Sequence, residues 1–198
     1  MIAYDSAPIA LVRHGETDWN LARRIQGRTD IPLNDTGRVQ AREMAEVLAA
    51  HGLWRGVRSS PLGRAVETAQ LIADGLKLVA PIVDEHFWER DFGEAEGLAV
   101  ANAQDRWPGL SNIPGAEPVE QLRARSATAL HRVLVEAPGS IVVAHGAMLR
   151  AGMSEATGLD VPRVLNGEVW LMYGSGDGVR VERLAAPASA IAVTAAPR

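Results

Sequence analysis

The order in which two hydrophobic periodicities follow each other restricts the fold of this chain more than any other feature. Short apolar or β-branched runs, Ile9 to Val12, the stretch around Val57, Leu78 to Val83 and Ser140 to Ala144, alternate with segments of helical spacing. That alternation predicts an α/β fold of three layers, α/β/α, with a mostly parallel central sheet and helices on both faces. Ser140 to Ala144 is nearly all apolar, as expected of a central strand buried on both sides. Behind the capping residues Asn34-Asp35-Thr36-Gly37, Ala41, Met44, Ala45 and Leu48 form one helical stripe, which Gly52 closes. Leu62, Ala65, Val66, Ala69, Ile72, Ala73 and Leu76 form a second, with Pro61 suited to its first turn because a missing N–H is harmless there. A longer helix is expected from about Glu117 to Ala137, with Leu122, Ser126, Ala129, Leu130, Val133 and Leu134 facing inward. Val164 to Tyr173 and Gly178 to Leu184 read as two last strands joined by a hairpin-type turn, Gly174-Ser175-Gly176-Asp177. One domain is expected over residues 1–184. The Ala/Pro-rich residues 185–198 have little to bury and are expected to be loosely ordered.

Composition removes several classes of function. With 198 residues, 47% of them apolar, the chain can bury one sizeable core. Its 20 Lys and Arg against 24 Asp and Glu leave a net charge of -4, so no electropositive footprint for nucleic acid or an anionic membrane stands out. Any phosphate recognition must be local. The absence of cysteine excludes disulfides, a thiol nucleophile and Cys-ligated metal, and no tight His/Asp spacing suggests another metal site. No cofactor fingerprint is visible, neither a P-loop nor a dinucleotide-binding glycine pattern. Without a secretion-type N-terminus or an apolar run of ~20 residues, the cytoplasm is the expected compartment. The sequence leaves the oligomeric state open, and a homodimer is compatible with it.

The chemistry sits where the predicted strands end. Arg13 and His14 follow the first run, His145 and Gly146 follow Ser140 to Ala144, and Arg64 lies in the first turn of the second helix, off its apolar stripe. Open α/β sheets form their ligand crevices at the C-terminal ends of strands, so one crevice can collect two guanidiniums and two imidazoles. That set suits a phosphoryl group: arginine offers planar, permanently charged donors, and a neutral imidazole nitrogen is a nucleophile near neutral pH. Glu85, Glu89, Asp91, Glu94 and Glu96 in the charged loop from Phe87 to Leu98 and just before it could each supply a proton, and spacing does not choose among them. By itself an Arg-His-Gly tripeptide at a strand end is more often structural than catalytic. His51, His86 and His131 read as surface or capping residues, and the five tryptophans as core or crevice-wall residues.

Taken together, the blocks resemble the histidine phosphatase superfamily, also called phosphoglycerate-mutase-like. Leu11-Val12-Arg13-His14-Gly15-Glu16-Thr17, Trp19-Asn20 and Gln26-Gly27-x-x-Asp30-x-Pro32-Leu33 are similar to its opening signature. Ser59-Ser60-Pro61-Leu62-x-Arg64-Ala65-x-Glu67-Thr68-Ala69, Glu89-Arg90-Asp91-Phe92-Gly93 and Val143-Ala144-His145-Gly146 are similar to its later motifs, in the expected order through about residue 184. The resemblance implies that His14 becomes phosphorylated, that Arg13, Arg64 and His145 hold the phosphoryl oxygens with Asn20 as a neutral contact, and that Glu89 is the proton donor. The backbone N–H of Gly146, at a strand-to-helix junction, is a further expected donor.

Two departures stand beside the match. Gly93-Glu94-Ala95-Glu96-Gly97 has alanine where family members often carry tryptophan, and Pro114-Gly115-Ala116-Glu117-Pro118 lacks the serine of the frequent Pro-Gly-Gly-Glu-Ser element. Neither the inserted segment nor the lysine typical of phosphoglycerate mutases is visible. A mutase must shut out water around its phosphorylated intermediate, so the shorter chain implies a metal-independent phosphomonoester hydrolase acting on a small phosphorylated substrate. A phosphoglycerate-type mutase and a non-catalytic phosphate-binding module are the rival readings.

Overall fold

The computed structural model describes residues 7–176 and 178–185. In chain order its elements are β1 (Ile9–Arg13), α1 (Asp18–Leu21), α2 (Asp35–His51), β2 (Gly56–Ser59), α3 (Gly63–Leu76) and β3 (Ile82–Val83). There follow α4 (Val100–Arg106), α5 (Val119–Glu136), β4 (Ser140–Ala144), α6 (Gly146–Thr157), β5 (Val169–Ser175) and β6 (Gly178–Ala185). The six strands make one sheet in the order β3-β2-β4-β1-β5-β6. It is a mixed sheet: β3, β2, β4 and β1 pair in parallel, whereas β5 and β6 add an antiparallel hairpin at the other edge.

Strand alternation divides the core in two. Ala10, Val12, Ile141 and Val143 face a cluster with Ala41, Met44 and Leu48 of α2 and Ala65, Ala69 and Ile72 of α3. Ile9, Leu11, Val142 and Ala144 face Leu130, Val133 and Leu134 of α5 and Met148, Leu149 and Met153 of α6. Helices therefore cover both faces. All five residues of β1 and of β4 are buried, which is why neither run alternates in polarity. Among the described residues no helix is long and apolar enough to cross a membrane.

Several local expectations are corrected. The run Leu78 to Val83 yields only a two-residue exposed strand, Ile82–Val83. Lys77 adopts a left-handed cap that turns the Leu78 N–H back onto Ala73, and Pro81 has no N–H to give a ladder. Pro61 lies before the helix, not in its first turn. Ser60 still donates to Val143 of β4, Leu62 is the extended N-cap, and the Asp30 carboxylate caps the Gly63 N–H from a distant loop. Val164 to Glu168 is a turn, with Glu168 N–H donating to Leu165, and only from Val169 does the strand begin. α1 and α4 have no counterpart in the periodicity. Of the expected hairpin turn, Gly174 and Ser175 belong to β5 and Asp177 lies outside the described residues; of the expected loose tail 185–198, Ala185 ends β6 and residues 186–198 lie outside the described residues.

Candidate active site

Three neighbouring parallel strands deliver their C-terminal ends to one place. Arg13 of β1 pairs with Ala144 of β4, so the residues that follow, His14 and His145, emerge side by side. The His14 N–H donates to the Ala144 carbonyl at 3.0 Å, and the two imidazole rings meet edge to face with centroids 5.2 Å apart. Next to β4, β2 ends at Ser59, and Ser60 reaches His145 Nε2 with its hydroxyl at 2.7 Å. From here β1 leads to α2 on one face and β4 to α6 on the other. The chain thus diverges between two adjacent strands, the arrangement that opens a ligand crevice in parallel sheets.

Backbone contacts fix the loop after β1. A Cβ on Gly15 would stand 2.3 Å from the Gly37 carbonyl oxygen, so the loop lies directly on the first turn of α2, where only glycine fits. His14 Nδ1 lies 2.7 Å from the Gly15 carbonyl oxygen, which can only accept, so Nδ1 carries the proton. Nε2 keeps its lone pair and accepts from Arg64 Nε at 3.3 Å. Burial, reinforced by the Arg64 and Arg13 charges, pushes His14 well below the ordinary histidine range; burial also lowers His145, aided by Arg64, His14 and Arg13. Both rings are accordingly neutral at pH 7.

Arg64, 1% exposed, lies in the first turn of α3 with its guanidinium aimed into the crevice. It is anchored by the carbonyls of Thr29 (2.8 Å) and Gly27 (2.7 Å). Arg13 donates from Nη1 to the Val164 carbonyl at 2.8 Å, while its buried Nε has no partner. Burial and the nearby Arg163 charge pull Arg13 down to about 10, still protonated at neutral pH. A Cβ on Gly146 would meet the Arg13 guanidinium at 3.3 Å, so glycine at the start of α6 lets that group lie close to the helix N-terminus. Two of the three buried side-chain atoms without a hydrogen bond among the described residues, Arg13 Nε and His145 Nδ1, belong to this one site. A buried donor left unsatisfied costs about 1–3 kcal/mol, and an oxyanion seated here would relieve it.

Asn20 follows from the turn after β1. Thr17 N–H can donate only to the amide oxygen, at 3.2 Å, which fixes how the Asn20 amide is turned and leaves its NH2 group for the cavity. Glu89 is held at the N-terminus of α6. Its Oε1 accepts from the N–H groups of Arg90 (2.8 Å) and Met148 (2.9 Å), and its Oε2 from Ala147 N–H (3.1 Å). Of the five loop carboxylates, only Glu89 lines the cavity. Asp91 caps the Gly93 N–H, and Glu96 accepts from the backbone of Arg28, Thr29 and Phe92, tying the loop that anchors Arg64 to the acid loop. Arg13, His14, Asn20, Arg64, Glu89 and Gly146 thus share one cavity of about 490 Å³, with His145 buried against its floor. Neither His51, His86, His131 nor any tryptophan lines it, which corrects the crevice-wall reading of the tryptophans. Among the described residues no group of three or more His, Cys, Asp or Glu could hold a metal ion.

Three contributors escape sequence reasoning. Asn166 donates to the His14 carbonyl at 3.0 Å and to Asn20 Oδ1 at 2.9 Å, bracing both; the Asn166-Gly167 dipeptide was the available signal for a turn there. Arg125 forms a two-pronged pair with Glu117 and donates to the carbonyls of Trp88 and Glu89, and Arg90 donates to the Glu117 carbonyl. The loop Pro114 to Pro118 thereby supports the backbone of the acid.

The neutral histidines have a measurable consequence for stability. Their folded pKa values lie below the unfolded value of about 6.5, so the unfolded chain binds more protons in the acid range. Stability of the ligand-free protein is expected to be full above about pH 6.5 and to fall as pH drops below it. Urea unfolding between about pH 7.5 and 5 tests this. A His14→Gln, His145→Gln double variant should flatten the profile, and equal slopes for both proteins would contradict the assignment.

The family model of the histidine phosphatase superfamily (branch 1) matches residues 9–184. A Bacillus subtilis (strain 168) protein named uncharacterized phosphatase PhoE is 44% identical over 156 residues, covering 77% of this chain and 78% of its own. Phosphoglycerate mutase-like protein 4 of Arabidopsis thaliana is 36% identical over 203 residues, covering 90% and 88%. Among solved structures, a mycobacterial glucosyl-3-phosphoglycerate phosphatase complexed with VO3 superposes with a TM-score of 0.78 at 26% identity, over 92% of this chain and all of that one.

Proposed function

The chain belongs to the histidine phosphatase superfamily and is a phosphatase, and from that premise we propose that it is a metal-independent phosphomonoester hydrolase working through a phosphohistidine on His14. The observation that carries this reading is the state of His14: Nδ1–H is tied to the Gly15 carbonyl, and Nε2 is unprotonated with its lone pair turned to Arg64 Nε at 3.3 Å, on a ring kept neutral by burial between two arginines. Its substrate is a small phosphorylated metabolite.

In the first step His14 Nε2 attacks phosphorus in line, the P–N bond forms and the P–O bond to the leaving alcohol breaks. Arg13, Arg64, the Asn20 amide and the Gly146 N–H hold the phosphoryl oxygens, supplying the charge that a metal supplies elsewhere. The Ser60 hydroxyl and His145 Nε2 share a hydrogen bond, and Nδ1, buried and otherwise without a partner, is the His145 nitrogen left to meet a phosphoryl oxygen. Glu89 gives the leaving oxygen its proton. Oε1 already accepts two N–H groups and Oε2 only one, so Oε2 has the lone pair that carries it. In the second step water attacks the phosphohistidine, Glu89 takes its proton, the P–N bond breaks, and neutral His14 returns with inorganic phosphate.

A phosphate-release screen over phosphorylated metabolites, with and without chelator, tests the proposal. Release undiminished by chelator is expected. Activity abolished by chelator and restored by one divalent ion would overturn metal independence. The mutase reading has in its favour several relatives named for phosphoglycerate mutase, among them one that is 36% identical over 203 residues. It predicts an isomeric phosphate ester in place of inorganic phosphate.

A further inference from the structure

The cavity above the phosphoryl site is more cationic than a phosphoryl group requires. In a chain of net charge -4, seven arginines line this one cavity, against two carboxylates, Glu89 and Asp160. Arg13 and Arg64 form the floor. Both carboxylates are already engaged, Glu89 by three backbone N–H groups and Asp160 by Arg150 at 3.0 Å. Arg24 and Arg90 are engaged by backbone carbonyls. Arg123, on the second turn of α5, and Arg163, beside Val164, have no hydrogen-bond or ion-pair partner among the described residues, and both line the cavity. The same cavity is also lined by the apolar side chains of Ile25, Phe92, Val100, Leu110 and Leu122. A volume of about 490 Å³ lies within the range of small-molecule sites and leaves space beyond the phosphoryl group.

From this distribution we infer that the leaving alcohol carries a second anionic group, a carboxylate or another phosphate, which Arg123 and Arg163 receive in the same cavity. The inference rests on the phosphomonoesterase reading above and adds the substrate class. Arg163 already acts electrostatically on Arg13, so its charge is felt at the phosphoryl floor, and a second anion nearby would offset that repulsion. Arginine suits both candidate anions, because its planar fork donates in pairs to carboxylate and phosphate alike. Both residues are exposed at the rim, where such contacts set selectivity between esters without touching the reacting atoms.

The test uses three esters built on one linear diol skeleton, over a ladder of chain lengths: the diol monophosphate, the corresponding ω-hydroxy acid phosphate and the diol bisphosphate. At the best length, kcat/KM for the acid phosphate, the bisphosphate or both is expected to exceed that of the monophosphate by about tenfold or more, as charge-assisted hydrogen bonds provide. For the bisphosphate this excess must go beyond the statistical advantage of its two equivalent ends. Which ester gains identifies the second anion. In an Arg123→Met, Arg163→Met variant the ratio should collapse toward one, and in Arg163→Glu it should invert. A wild-type ratio near one, or a ratio unchanged in the variants, overturns the inference. Because each ratio is internal to one protein, a partly unfolded variant does not disturb it. If neither these esters nor p-nitrophenyl phosphate release phosphate, the hydrolase reading itself fails; release from the monophosphate without preference defeats only the second anion.

Discussion

His14→Ala is expected to lower phosphate release by about 10⁴-fold or more, the scale of removing a nucleophile from a site whose other groups act only around it. The variant should remain folded. His14 contributes two hydrogen bonds through its ring, to the Gly15 carbonyl and from Arg64 Nε, and Arg64 keeps its two carbonyl anchors without them. The loop also keeps the His14 backbone bonds to Ala144 and Asn166. Loss of turnover with a retained cooperative unfolding transition, its midpoint lowered by the unpaired Arg64 Nε and the emptied ring site, is thus the expected pair of results. Turnover within tenfold of wild type would remove His14 from the reaction.

Glu89→Gln is expected to separate substrates by their leaving group. Protonation matters most when the departing alkoxide is strongly basic, and a general acid usually contributes about 10²–10⁴-fold. Hydrolysis of an alkyl phosphate should therefore fall by about that factor, whereas phosphorylation by p-nitrophenyl phosphate should fall much less. If dephosphorylation, which needs the same residue as base, becomes limiting with the aryl ester, phosphoenzyme accumulates. The substitution also has a structural cost. The Glu89 oxygens accept N–H groups from Arg90, Ala147 and Met148, and an amide NH2 in place of either oxygen sets donor against donor. The alkyl-to-aryl ratio is the informative quantity, because a smaller folded fraction lowers both rates equally. Asp91→Asn, Glu94→Gln and Glu96→Gln should leave that ratio unchanged, and a ratio that moves in one of them and not in Glu89→Gln would reassign the proton donor.

What the sequence made legible follows from where the information is local. Buried central strands write themselves as short apolar runs, and a polar residue directly after such a run has to lie at a sheet end. That is why Arg13, His14 and His145 could be assigned to one crevice from β1 and β4 alone. The register that sets the two histidines 5.2 Å apart is a pairing between residues 131 positions distant in the chain, Arg13 with Ala144, which no local pattern records. Choosing among five carboxylates failed on spacing for a similar reason. Glu89 is distinguished by docking on the N-terminus of α6, almost sixty residues away, and Glu96 by capping a loop near Thr29. α4 is short and buries only Ala103, so it left no stripe to read. Asn166 was hidden inside an apolar run read as strand, although the following glycine marked the turn.

The central claim is that the phosphoryl group passes through His14 Nε2, and the most direct measurement is to trap it. Wild-type protein mixed with an excess of phosphorylated substrate, quenched within milliseconds in base and digested, should yield one phosphoryl group per active chain on the peptide containing His14. That group should be lost on brief acid treatment, as a phosphorus–nitrogen bond requires, and His14→Ala should carry none. An acid-stable phosphoryl group on a serine or threonine, a label on an aspartate, or labelling that persists in His14→Ala would contradict the account.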